Sequence, residues 1–187
     1  MVYIRTVANG ACKFRADELF DRAAKYEEKG DMRSAFQLYL AGAKSGDSAC
    51  QLNVGNLYAA GTGVRPNREA ALLWYKRAYR AGSASAASNI GVLWRNAKKP
   101  TRALGWFRKA VRLGDDEANL EIALHYLHNE SNPAKAIPHL ESVCKSNCVT
   151  QAGAEKAARV LEKIAKQSKR MSASVQLQRN RRKTTRI

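Results

Sequence analysis

Three histidines and two cysteines gather toward the C-terminal part of the chain: His125, His128, His139, Cys144 and Cys148. Zinc would suit such side chains, but a zinc site needs four ligands converging on one point. His125 and His128 stand at i and i+3, as on one helix face, yet no CxxC pairs with a second one. Cys144 is expected to face the core beside Val143. Isolated His and Cys are ordinarily structural, so neither a metal nor a cofactor is expected. Gly61-Thr62-Gly63 could bring backbone amides close to a phosphate. It lacks the Gly-Lys-Ser/Thr ending and follows no strand, so a tight interhelical turn is the expectation. Carboxylates concentrate in Asp17, Glu18, Asp21, Glu27 and Glu28. Asp17 and Asp21 share a face, but acids early in a helix ordinarily complement its dipole. No nucleophile elbow, zinc-protease helix or nucleotide fingerprint is present, so an enzyme is not expected.

The elements that carry these residues repeat. Gly46, Gly82 and Gly114 close three similar segments, and Asn147 closes a looser fourth. Ala35, Ala71, Ala103 and Ala136 each stand eleven residues before those ends. Four residues after each alanine comes a large side chain: Tyr39, Tyr75, Phe107 or Leu140. One helical turn separates small from large, so both lie on one face. Glycine supplies the left-handed residue that ends such a helix, and Asn147 is the expected substitute. A preceding helix is marked by Gly55 with Tyr58, Gly91 with Trp94, Ala123 with Tyr126 and Ala23 with Tyr26. The spacing therefore predicts four helix–turn–helix units, roughly 17–46, 48–82, 84–114 and 116–147. Pro133 suits a first helical turn, whereas Pro138 should weaken or bend its helix.

Asn53-Val54-Gly55-Asn56-Leu57-Tyr58, Gly61-Thr62-Gly63-Val64, Ala71, Trp74-Tyr75, Ala78 and Gly82 resemble a Sel1-like repeat. The third unit keeps Asn89-Ile90-Gly91, Ala103, Trp106-Phe107, Ala110 and Gly114 without the Gly-x-Gly-Val loop. Its length, with that of units one and four, resembles the related tetratricopeptide (TPR) repeat. The resemblance implies an all-α, right-handed α-solenoid of about four helix pairs that binds proteins or peptides as a scaffold or adaptor. It also implies a groove lined by the first helices of each pair. Asp21 and Ala24, Asn53 and Asn56, Asn89 and Val92, and Glu121 and Leu124 would point into it. Asparagines there can grip an extended peptide backbone without reading its sequence. Alternatively they bond to the neighbouring repeat's backbone, since buried amides must find partners. Some relatives clamp a C-terminal carboxylate with Lys and Arg. Glu117 and Glu121 stand in those places here, so carboxylate capture is not expected.

The chain has 187 residues, 45% hydrophobic, with 33 basic and 16 acidic side chains for a formal charge of +17. That length suits one domain or a short repeat array, and the apolar content excludes a wholly disordered chain. Lys44, Arg80, Arg112 and Lys145 occupy one equivalent position per unit, with Lys76 and Arg108 one turn earlier. Cations in a helix's last turn offset its dipole, or the ladder binds phosphates. A nucleic-acid-binding protein is therefore the alternative to a polypeptide-binding scaffold, and an anionic membrane surface the third partner considered. Ala152 to Lys166 reads as a capping helix covering the last hydrophobic face. The domain expectation is a leader over 1–15, repeats over 16–147, a cap over 148–168 and a basic, disordered tail over 169–187. That tail holds Lys169, Arg170, Arg179, Arg181, Arg182, Lys183 and Arg186. No apolar run approaches eighteen residues, the first fifteen lack a secretory h-region, and four cysteines are too few for a disulfide framework. A cytoplasmic location is the expectation.

Overall fold

The computed structural model describes residues 15–184. Among them the structure is all helical: α1 (Ala16–Glu28), α2 (Met32–Lys44), α3 (Ser48–Ala60), α4 (Arg68–Arg80), α5 (Ala84–Asn96), α6 (Pro100–Arg112), α7 (Ala118–Asn129), α8 (Pro133–Lys145) and α9 (Gln151–Thr184). The chain divides after Asp115 into two compact units. Unit 1 holds three hairpins, α1/α2, α3/α4 and α5/α6, with α2 packed on α3 and α4 on α5. Unit 2 holds the hairpin α7/α8, with α9 packed on α8. No helix among the described residues is long and apolar enough to cross a membrane.

The small-then-large rule of the sequence becomes the core. Ala35, Ala71, Ala103 and Ala136 are all buried, as are Tyr39, Tyr75, Phe107 and Leu140. The large residue of one helix fills a notch in the first helix of its own hairpin. A Cβ at Gly55 would lie 2.5 Å from the Tyr75 ring, and one at Gly91 would lie 2.6 Å from the Phe107 ring. Glycine is therefore required there by ring contact. After α2, α4 and α6, Gly46, Gly82 and Gly114 adopt φ of +101°, +92° and +93°, the left-handed conformation that ends a helix. In the long loop of the second hairpin, Gly61 caps α3 at φ +74°. Gly63 lies against the Met32 carbonyl, where a side chain would collide. The loop is thus a structural turn seated on the preceding hairpin, as the tight-turn reading anticipates.

Unit 2 departs from the pattern in three places. Asn147 does not replace the closing glycine: the chain leaves α8 through Ser146 in an extended conformation (φ −78°, ψ 134°). The Ser146 hydroxyl donates to Asp116 at 2.6 Å and so takes over the anchoring of that end. Pro138 lies inside α8 on its exposed side, where the carbonyl of Ala134 that loses its donor can reach water. The expected break between a cap and a disordered tail is absent, because α9 runs unbroken from Gln151 to Thr184. After Gly153 it contains neither Gly nor Pro, and it is rich in Ala, Lys, Arg and Gln, all good helix formers. Lys169 and Arg170 are exposed on it, and positions 179, 181, 182 and 183 fall on its last turns. Arg186 and residues 1–14 lie outside the described residues, while Arg15 serves as the N-cap of α1.

Candidate protein-interaction face

Tyr39 and Tyr75, on the buried side of the second helix, each carry a hydroxyl toward the first-helix side of unit 1. Tyr75 donates to Asn56 Oδ1 at 2.9 Å, and Asn89 Nδ2 donates to the same oxygen at 2.9 Å. Asn56 Nδ2 in turn lies 3.5 Å from Asn53 Oδ1. Three amides from α3 and α5 are thereby joined into one run across two hairpins. In the first hairpin Tyr39 donates to Glu27 Oε2 at 2.9 Å. Burial, opposed by the Asn89 amide, pushes the Tyr75 phenol up to about 12. Burial and then the Glu27 carboxylate push the Tyr39 phenol further up still. Both hydroxyls therefore remain donors through the neutral range.

Asn56 is exposed, and Asn53 and Asn89 are half-buried. The partners of these amides are side chains, Tyr75 and Asn53 within the second hairpin and Asn89 from the third. The run is not saturated: an amide has one acceptor oxygen and two donor hydrogens. Asn56, at the middle of the run, is the member exposed to a ligand, and Asn53 also bonds inward to the Tyr39 hydroxyl. Asp21 lies exposed on α1 of the same unit. Glu117 belongs to unit 2 and is already engaged, accepting from the Thr150 hydroxyl at 2.9 Å just before α9. Glu121 is half-buried on α7.

The ladder residues Lys44, Lys76, Arg80, Arg108 and Arg112 are all exposed on the second helices of unit 1. Lys145 stands on α8 and reaches Glu141 at 3.8 Å. Between the ladder positions lie ring-held cations that the sequence reading did not single out. Arg77 sits over Trp74 at 4.4 Å, and Lys109 over Trp106 at 3.8 Å. Arg68 and Arg102 flank Trp94 at 5.0 and 4.9 Å. The signal was available as Trp-x-x-cation at equivalent positions of the second and third hairpins. Together α2, α4 and α6 carry ten basic side chains against one carboxylate, Glu69.

The histidines and cysteines do not converge. His125 faces Glu130 at 3.6 Å, and His128 is exposed. His139 bonds through Nδ1 to Asn119 Oδ1 at 2.9 Å and stacks on Tyr126. Cys144 is exposed rather than in the core, since only its neighbour Val143 turns inward. No cluster able to hold a metal ion is present among the described residues.

A family model of the Sel1 repeat matches residues 18–47, 48–83 and 86–115, together just over half of the chain. The matched stretches end where unit 1 ends. No curated protein matches significantly. Among solved structures, a Sel1 repeat protein from Oxalobacter formigenes is 24% identical with a TM-score of 0.62, over 68% of this chain and 57% of that one. The protective antigen c5321 of uropathogenic Escherichia coli, which displays an SLR fold, is 22% identical with a TM-score of 0.63, over 68% and 30%. YrrB, a TPR protein with an unusual peptide-binding site, is 18% identical with a TM-score of 0.54, over 79% and 78%. The chain thus spans less than two thirds of the length of the first two. At these identities the likeness is one of fold, the helical-repeat solenoid.

Proposed function

Because the chain belongs to the Sel1 repeat family, whose modules generally serve as protein-interaction scaffolds, we propose that it is a non-enzymatic adaptor holding an extended polypeptide along the first-helix face of unit 1. The observation that carries this reading is the run Asn53–Asn56–Asn89. It is braced from beneath by Tyr75, and its central amide, Asn56, is exposed. Such a strip matches the alternating N–H and C=O groups of a peptide backbone. Panning a displayed random-peptide library on the full chain, followed by calorimetry on the selected peptides, tests it. Changing all three asparagines to Ala should weaken binding about tenfold or more, whereas Lys76, Arg80 and Arg112 to Ala should not. The reverse ranking would move the site to the other face.

The crowding of cations on α2, α4 and α6 favours a second reading, a polyanion such as nucleic acid along those helices. Phosphate contacts of that kind weaken steeply with salt. Salt-dependent retention on DNA that is lost on changing Arg80, Arg108 and Arg112 would establish it.

A further inference from the structure

We infer that the cleft between α8 and α9 is a docking site for a single amphipathic helix with acidic flanks. Pro133, Ile137, Leu161, Glu162, Ile164 and Ser168 line a largely apolar groove of about 660 Å³ there. In unit 1 the first helices α3 and α5 are each packed on both sides, by the second helix before them and by their own partner. After thirteen residues each of these chains turns back to form that partner. At the corresponding point α9 does not turn; it continues to Thr184, with α8 as its principal neighbour. α9 therefore outruns α8, and the face that packs on α8 continues past that helix.

That face of α9 is a regular seam. Ala157, Leu161, Ile164, Ser168 and Met171 follow in alternating steps of four and three, as in a two-helix interface. Burial fades along it: Ala157 is fully buried, Leu161 and Ile164 are half-buried, and Met171 is 69% exposed. Length explains the gradient, because α8 extends about 20 Å and α9 about 50 Å at 1.5 Å per residue. The groove has two walls, α8 and α9, between which a helix can lie and a flat bilayer cannot.

Charge selects the kind of helix. Lys163, Lys169 and Arg170 are exposed on α9, and no acidic residue follows Glu162 in that helix. Glu162 itself is tied to Lys166 at 2.6 Å, and Lys135 at the α8 side to Glu130 at 2.9 Å. A second copy of α9 would set cations against cations, whereas a helix with glutamates flanking an apolar stripe would neutralise them.

The test uses the full chain and a synthetic 20-residue helix with Leu at i, i+3, i+4 and i+7 and Glu on both flanks, followed by fluorescence anisotropy. Saturable binding is expected, weakened about tenfold by Met171→Asp, by Ser168→Trp, which fills the groove, and by the pair Lys169→Glu and Arg170→Glu. Those positions are exposed, so circular dichroism should be unchanged. The asparagine triple variant should bind the helix normally, separating this site from the first-helix face. Absence of binding up to about 1 mM, or equal binding of a scrambled peptide, would overturn the inference. So would concentration-dependent dimerisation abolished by Met171→Asp, which would make a second copy the occupant. Tighter binding to phosphatidylserine vesicles through the same residues would overturn it in favour of a membrane.

Discussion

Unit 1 and unit 2 solve the same problem, holding helix hairpins together, with different chemistry. Unit 1 uses repetition: a ring in a glycine notch, a left-handed glycine between hairpins, and a tyrosine hydroxyl feeding a polar strip. Unit 2 has Leu140 in place of the ring and extended Ser146 in place of the glycine turn. It holds its ends with individual polar ties, Ser146 to Asp116, Thr150 to Glu117 and His139 to Asn119. The family model matches the repetitive unit and stops where the individual ties begin. Repetition is what a sequence pattern can register; one-off hydrogen bonds satisfy the same helix ends without leaving a period.

The comparison breaks most sharply if the two units do not respond separately to a large core change. Leu140 is fully buried, and Leu140→Ala should cost about 2–5 kcal/mol, with the upper values where the cavity cannot collapse. Hydrogen exchange should show protection lost in α7 to α9 and largely kept in α1 to α6. Equal loss in all helices would mean one cooperative unit. Next in size are the buried alanines. Ala71→Leu and Ala103→Leu should overpack unit 1 by about 1–3 kcal/mol each, read as a lower midpoint in urea. An unchanged midpoint for both would refute the small-and-large seam.

A gain of stability sharpens the comparison from the other side. The turn within the first hairpin uses Gly30 at φ +78°, but the equivalent turns place Lys98 at +56° and Ser131 at +49°. A side chain in that left-handed region costs about 1–2 kcal/mol relative to the usual helical one, and glycine is free of most of it. Lys98→Gly in unit 1 and Ser131→Gly in unit 2 should each stabilise by about 1 kcal/mol, less glycine's extra chain entropy. A loss of stability in either would show that its side chain contributes more than its backbone costs.

Much of the fold was legible because burial of alternating small and large residues at helical spacing leaves a periodic trace. All four hairpins fall where Ala35, Ala71, Ala103 and Ala136 put them. The candidate face was legible in part. Asn53, Asn56 and Asn89 were visible by register, but their union at Asn56, with Tyr75 beneath it, was not. Spacing reports which face a residue is on, whereas a hydroxyl's partner depends on depth across two helices. Cys144 was misplaced for a related reason, as the outward limit of a buried stripe beside Val143 is only one residue wide. The helical state of α9 beyond Ser168 was hidden by composition. Dense positive charge reads as a solvated tail, while helix propensity residue by residue points the other way.

The smallest expected effect concerns Tyr75 and alkaline pH. Its phenol titrates near 10 in an unfolded chain, and burial raises this to about 12 in the folded one. For an acid whose folded value is raised, the neutral form is the one the fold favours. Its contribution is therefore complete below pH 10 and is lost as pH rises from 10 toward 12. Tyr75→Phe keeps the ring in the Gly55 notch and leaves Asn56 with Asn89 as a donor, so no buried acceptor is orphaned. Its cost near pH 8 should sit at the low end of the usual range, about 0.5 kcal/mol. Above pH 10 the variant should lose stability less steeply than the parent, so that the two urea midpoints approach each other. Parallel curves through pH 11 would show that the hydroxyl is reached by solvent and that the strip above it is not insulated. The first-helix face would then be softer than its hydrogen bonds suggest, and the difference between the units would narrow to their cores.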